Sequence, residues 1–154
     1  MMEKADIYDE SQLVAFMLDG EEYAVNIHYV QEINRLLTIT RVPKAPFYVE
    51  GVINLRGNVV PVIDLRKRFS LPPRETTDRT RIIIVKVKDI TVGVIVDGVS
   101  EVISLPNDNI EPPPGLQSSL DQDYIYGVGK IEERLLILIN IEKILAIEAL
   151  IEND

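Results

Sequence analysis

Short apolar runs rich in β-branched residues alternate with turn signals along most of the chain, the pattern of an all-β sandwich or barrel. Roughly nine or ten strands are predicted. Residues 12–18 precede Asp19-Gly20, a two-residue hairpin signal because both turn positions need positive φ, and 22–26 return antiparallel. Further strands are predicted at 36–42, 52–55 and 59–65, the last two joined by Arg56-Gly57-Asn58. Pro61 lacks an amide donor and places 59–65 at an edge or a bulge. After a Pro- and Ser-containing break at 70–77, strands resume at 81–88 and 90–96, with Lys88-Asp89 between them. Ile90, Val92, Val94 and Val96 share one face. A strand at 99–105, a proline-rich loop at 106–123 and a hairpin of 124–131 with 134–140 complete the set.

Helical signals are sparse. Asn26 can cap a short helix to Ile33, with Ile27, Val30 and Ile33 on one stripe at spacing three. Pro46 and Gly51 bracket one turn at 47–50. Asn140 caps a C-terminal helix running to Ile151.

Composition narrows the function. With 25 acidic against 16 basic residues the net charge is −9, which repels nucleic-acid backbones and anionic membranes. The basic run Arg66, Lys67, Arg68 adjoins Asp64 and reads as a solvated strand or helix end. No cysteine is present, so disulfides and thiolate chemistry are excluded, in keeping with a reducing compartment. The apolar runs fall far short of the roughly 20 residues that span a bilayer, and residues 1–9 lack a signal-peptide core. The chain is expected in the cytoplasm.

No catalytic constellation emerges. Gly127-Val128-Gly129-Lys130 has Tyr124 where a phosphate loop needs its first glycine and Ile131 where it needs Ser or Thr, so close-packed strand glycines are predicted. The lone histidine, His28, has no companion ligands and is expected on an exposed helix. Asp64 and Asp97 sit at strand ends, where turn or cap roles are expected. No metal or cofactor is called for.

The string GVINLRGNVVPVIDLRKRF at 51–69 resembles the signature of the CheW family. Flanking it are VNIHYVQEI at 25–33, VPKAPFYVEGV at 42–52, VGVIVDGVSEVISL at 92–105 and LLILINIEKIL at 135–145, so the resemblance runs from about Gln12 to Leu150. It implies two five-stranded β-barrels related by duplication, at about 12–69 and 78–150. Short connecting helices and a C-terminal helix are implied with them, and a strand or helix is expected to cross between halves. The same module occurs in the CheA kinase and in CheV adaptors; nothing is left over here for their extra domains, so the stand-alone coupling member is expected.

The implied role is non-catalytic bridging, by a chain that is monomeric in isolation, between a chemoreceptor's cytoplasmic tip and the regulatory domain of the CheA histidine kinase. The implied receptor groove carries Val14, Ile27, Val30, Ile33 and Val99, of which Val14 and Ile33 read equally as core. The resemblance also implies an ion pair of Glu32 with Arg56 and a kinase-binding surface of Ile39, Arg41, Val42, Arg56, Gly57 and Asn58. A small-barrel binder of oligonucleotides or small ligands is the rival class; three Phe, no Trp and a pI near 4.7 argue against it.

Overall fold

The computed structural model describes residues 10–113 and 124–145, and these are mostly strand. In chain order come β1 (Glu10–Leu18), β2 (Glu21–Asn26), a 3-10 turn at Ile27–Tyr29, β3 (Val30–Arg35), β4 (Val49–Leu55), β5 (Asn58–Asp64) and the one-turn helix α1 (Leu65–Arg68). Then follow β6 (Arg81–Val87), β7 (Ile90–Val96), β8 (Gly98–Pro106), a 3-10 turn at Asn107–Asn109, β9 (Ile110–Glu111), β10 (Ile125–Ile131), β11 (Arg134–Ile139) and α2 (Ile141–Leu145). The hairpin chemistry is visible in the backbone. Asp19 and Gly20, Arg56 and Gly57, and Lys88 and Asp89 all hold positive φ, matching the twist of the strands that they join.

The strands form two sheets, in the orders β8, β1, β2, β11, β10, β9 and β3, β6, β7, β5, β4. The first five strands of one repeat the plan of the other. β8 on β1 matches β3 on β6, both antiparallel; β11 on β2 matches β5 on β7, both parallel. Even the irregularities correspond: bulges fall after Val30 in β3 and after Val99 in β8, and before Gly51 in β4 and before Gly127 in β10.

This plan changes the predicted division. The chain starts in the six-stranded sheet, crosses at Ile27–Tyr29 to build all of the five-stranded one, and crosses back at Asp97. Segments 12–69 and 78–150 are therefore not the two structural halves, because β1 and β2 pair with C-terminal strands. The break at 70–77 lies inside the five-stranded unit. Nor does either sheet close into a barrel by strand pairing. Edges remain at β8 and β9 and at β3 and β4, although a single bridge of Thr40 with Val52 folds the chain back over the β4 edge.

Both faces of each sheet are buried. Leu13, Ala15, Ala24, Ile103, Leu105, Leu136 and Leu138 fill the concave side of the six-stranded sheet. Ile53, Leu55, Val60, Val62, Ile82 and Ile84 do so for the five-stranded one. The opposite faces meet in one shared layer. There Val14, Phe16, Leu18 and Val25 join Ile83, Val85, Val87, Val92, Val94 and Val96, with Ile141, Ile144 and Leu145 of α2. Strand alternation accounts for the sorting, since Ile82 and Ile84 face inward while Ile83 and Val85 face the partner sheet.

Three local readings are corrected. The helix expected from Asn26 to Ile33 is only one 3-10 turn, in which the Asn26 side chain accepts from the His28 N–H at 2.9 Å, before β3 begins. The strand expected at 36–42 reduces to the Thr40 bridge, because this segment must arc from β3 to the opposite edge of its sheet. The helix expected at 47–50 is a turn running into β4, and Gly51 serves close approach rather than capping. Asn140 does cap α2, accepting from the Lys143 N–H, while residues 146–151 of the expected helix lie outside the described residues.

A Cβ on Gly51, at φ +150°, would stand 2.1 Å from the Thr40 carbonyl oxygen, whereas one on Gly20, at φ +82°, would meet open space. Gly20→Ala is expected to cost about 1 kcal/mol in urea unfolding, the price of a left-handed backbone alone. Gly51→Ala is expected to cost clearly more, about 2 kcal/mol or above, because backbone must move as well. Equal losses at the two positions would show that the Thr40 contact does not constrain the fold.

Candidate functional site

Strands β3 and β8 begin in the same way, with Val30-Gln31-Glu32-Ile33 in one and Val99-Ser100-Glu101-Val102 in the other. In a regular strand, residues three apart point to opposite faces. Here the bulge restores them to one face. Val30 pairs with Val85 and Ile33 with Ile83, both on the shared-layer side, while Glu32 pairs with Ile84 on the concave side. Likewise Val99 pairs with Phe16 and Val102 with Val14, while Glu101 pairs with Ala15. Each sheet thus presents an apolar couple flanking the common core: Val30 and Val99 half-buried against it, Ile33 at 38% and Val102 at 58% exposure.

Of the predicted groove residues, Ile27 also lies half-buried against the shared layer, on the crossing turn. Val14 is a correction. At 1% exposure it belongs to the core, because its face of β1 packs into the shared layer against the other sheet. Val102, which was not among the predicted residues, stands three residues from Val99 as Ile33 does from Val30.

Glu32 and Arg56 come together as a two-pronged ion pair: Nη1 donates to Oε1 at 3.2 Å and Nη2 donates to Oε2. Glu32 sits on edge strand β3 and Arg56 on the turn after edge strand β4, so the pair spans the open seam of the five-stranded sheet. The hydrogen bond from Arg56 holds the Glu32 carboxyl below its ordinary range. The six-stranded sheet has a counterpart, in which Arg134 at the start of β11 binds Glu22 and Glu101. Of the predicted kinase-surface residues, Ile39 is half-buried against the concave core, whereas Arg41, Val42, Arg56, Gly57 and Asn58 are exposed, as is the neighbouring Val59 at 73%.

The run Arg66, Lys67, Arg68 is the other correction, since none of the three is a bare solvated charge. Asp64 caps α1, and burial raises its pKa. Arg66 is 6% exposed and reaches Asp19. Lys67 pairs with Glu50 at 2.6 Å. Arg68 stacks on Tyr48 and Tyr124 and donates to the Ile144 carbonyl at 2.6 Å, tying α2 down. The short helix aims three successive cations at three different neighbours, which sequence adjacency concealed.

The sequence profile of the CheW-like domain family matches residues 12–149. The chain belongs to the CheW-like family. It is 45% identical over 142 residues to the chemotaxis protein CheW of Bacillus subtilis, covering 92% of this chain and 90% of that one. It is 40% identical over 144 residues to the Klebsiella aerogenes protein of the same name, covering 92% and 87%. Among solved structures, the scaffolding protein TtCheW from Thermoanaerobacter tengcongensis superposes with a TM-score of 0.79 at 39% identity, over 84% of this chain and 88% of that one.

In this CheW-like chain no group of three or more His, Asp or Glu is placed to hold a metal among the described residues. No described helix is long and apolar enough to cross a membrane. His28 is exposed on its turn. The glycines at 127 and 129 are packing residues, since a Cβ on Gly129 would stand 2.5 Å from Leu105 Cδ2.

The seam pair makes a prediction about pH. A carboxyl whose folded pKa is depressed stabilises above its unfolded pKa, and that contribution disappears as pH falls through the folded value. By NMR titration Glu32 is expected to have its midpoint below the ordinary glutamate range of about 4.3 and to return toward it in Arg56→Ala. An unchanged midpoint in that variant would mean that the pair is not held in solution.

Proposed function

We propose that this chain is a non-catalytic adaptor that couples chemoreceptor cytoplasmic tips to the regulatory domain of the CheA histidine kinase. The matched apolar couples of β3 and β8 carry the reading. Two half-exposed strips flanking one interface suit an amphipathic helix laid between them, a common recognition mode. A receptor tip, a long helical hairpin, supplies such a face. The names of the relatives, chemotaxis proteins and a scaffolding protein, support the same role.

The receptor surface in this reading comprises Ile27, Val30, Ile33 and Val99, joined by Val102. The kinase surface comprises Ile39, Arg41, Val42, Arg56, Gly57 and Asn58, with the exposed Val59 as its apolar centre. Glu32 and Arg56 shape the border between the two. The adaptor works in the cytoplasm as a single chain. It needs no chemistry of its own, only that each bound partner bias the state of the other.

Val30→Asp and Val102→Asp test the surface. Each sets a carboxylate against the apolar stripe of the receptor helix, where an unpaired buried charge is costly enough to weaken binding about 100-fold or more. Binding to a receptor cytoplasmic fragment is expected to vanish, while circular dichroism and affinity for the CheA regulatory domain stay unchanged. His28→Ala is expected to alter neither binding nor kinase control. Folded Asp variants that bind receptor normally would overturn the surface assignment.

A further inference from the structure

Arg66 is the one charged side chain sunk into the junction between the two units among the described residues. It rises from α1, which belongs to the five-stranded unit, yet Nη1 and Nη2 both donate to Asp19 Oδ1, at 3.0 and 2.9 Å, in the β1–β2 turn of the other unit. Nη1 also donates to the Pro72 carbonyl at 3.0 Å, and Nε lies 3.4 Å from Asp97 Oδ1. Asp97 is the crossing residue between β7 and β8. Its second oxygen accepts from the Asp19 N–H at 2.8 Å, and its own N–H donates to the Met17 carbonyl at 3.0 Å. One guanidinium therefore hydrogen-bonds the turn of one sheet and the loop of the other, and lies within ion-pair distance of the residue at which the chain crosses between them, its Nε making no hydrogen bond.

Much of the rest of the junction is apolar, although Arg68 also crosses it, stacking on Tyr124 and donating to the Ile144 carbonyl. Apolar contact is nondirectional and tolerates small rotations, whereas charge-assisted hydrogen bonds fix distance and direction together. Arg66 is buried while its partner Asp19 is 41% exposed, and such a pair adds little net stability over an apolar replacement, which leaves the selection of one geometry as its distinctive contribution. Angle matters here because the β3 couple stands on one unit and the β8 couple on the other.

We propose that Arg66 is a positioning residue that sets the angle between the two units, and through it the separation of the β3 and β8 apolar couples. The consequence for coupling rests on the adaptor reading above; the consequence for the angle does not. Loss of the pin lets the units rock about their two crossings, at Ile27–Tyr29 and Asp97. Either partner can still bind a rocking scaffold, but the state of one is no longer transmitted to the other.

The absence of native cysteine allows a clean test: Lys86→Cys on β6 and Glu133→Cys in the β10–β11 turn, both exposed, carry a pair of spin labels. Pulsed dipolar spectroscopy is expected to give one narrow distance distribution in the parent and a broadened one in Arg66→Met and Arg66→Lys, the latter keeping the charge without the fork. Asp19→Asn guards against misfolding, because asparagine tolerates the φ of 55° at this turn while losing the charge, and it too is expected to broaden the distribution. In reconstituted receptor–kinase assemblies the same variants are expected to keep each separate affinity within about threefold while receptor control of kinase activity falls about tenfold or more. Unbroadened distances in folded variants would overturn the proposal, as would full kinase control despite broadening. Failure of the parent chain to bind either partner would remove the adaptor reading and leave the distance result standing.

Discussion

Val14, Phe16 and Leu18 from β1 share one buried layer with Ile83, Val85 and Val87 from β6 and Val92, Val94 and Val96 from β7. Each such side chain removed from water contributes about 1.5–3 kcal/mol, and a sheet of five or six short strands with that face exposed would be a poor monomer. Neither unit is thus a self-sufficient domain. Their mutual burial accounts for the continuous apolar runs of β6 and β7, which need no polar face. It also accounts for the two crossings of the chain, which commit both units to fold together.

Once both faces of each sheet are consumed, recognition is confined to edges, turns and rims. The bulges of β3 and β8 decide what those rims display, by turning an apolar couple toward the layer side and a glutamate toward the seam. In each unit an arginine, Arg56 or Arg134, meets that glutamate. The couples of both copies flank one junction, while the turn at 56–59 is exposed on its own account, so a single small chain carries two inequivalent surfaces. An adaptor needs that property, and no catalytic group has to be added to it.

Much of this was legible in the residues. Hairpins marked by Asp19-Gly20, Arg56-Gly57 and Lys88-Asp89 appear where the turn chemistry requires positive φ, and Val92, Val94 and Val96 of β7 do share one buried face. What misled was periodicity without context. Ile27, Val30 and Ile33 recur at helical spacing, but a bulge produces the same spacing in a strand, and a bulge leaves no mark in a single sequence. Pairing over long range was equally hidden. Nothing near Glu10–Asn26 announces that these strands join β11 and β8, so the division at 70–77 followed the loop rather than the sheets. Arg66 looked like its neighbours because burial depends on α1 meeting a turn 47 residues away.

The central claim is that one chain holds receptor and kinase at the same time on separate surfaces. A receptor cytoplasmic fragment fixed to a biosensor surface, loaded with this chain and then exposed to the CheA regulatory domain, tests it most directly. The account predicts a further rise in bound mass that requires the chain and leaves the receptor contact intact. Displacement of the chain by the kinase domain would contradict it, because the two partners would then share one surface.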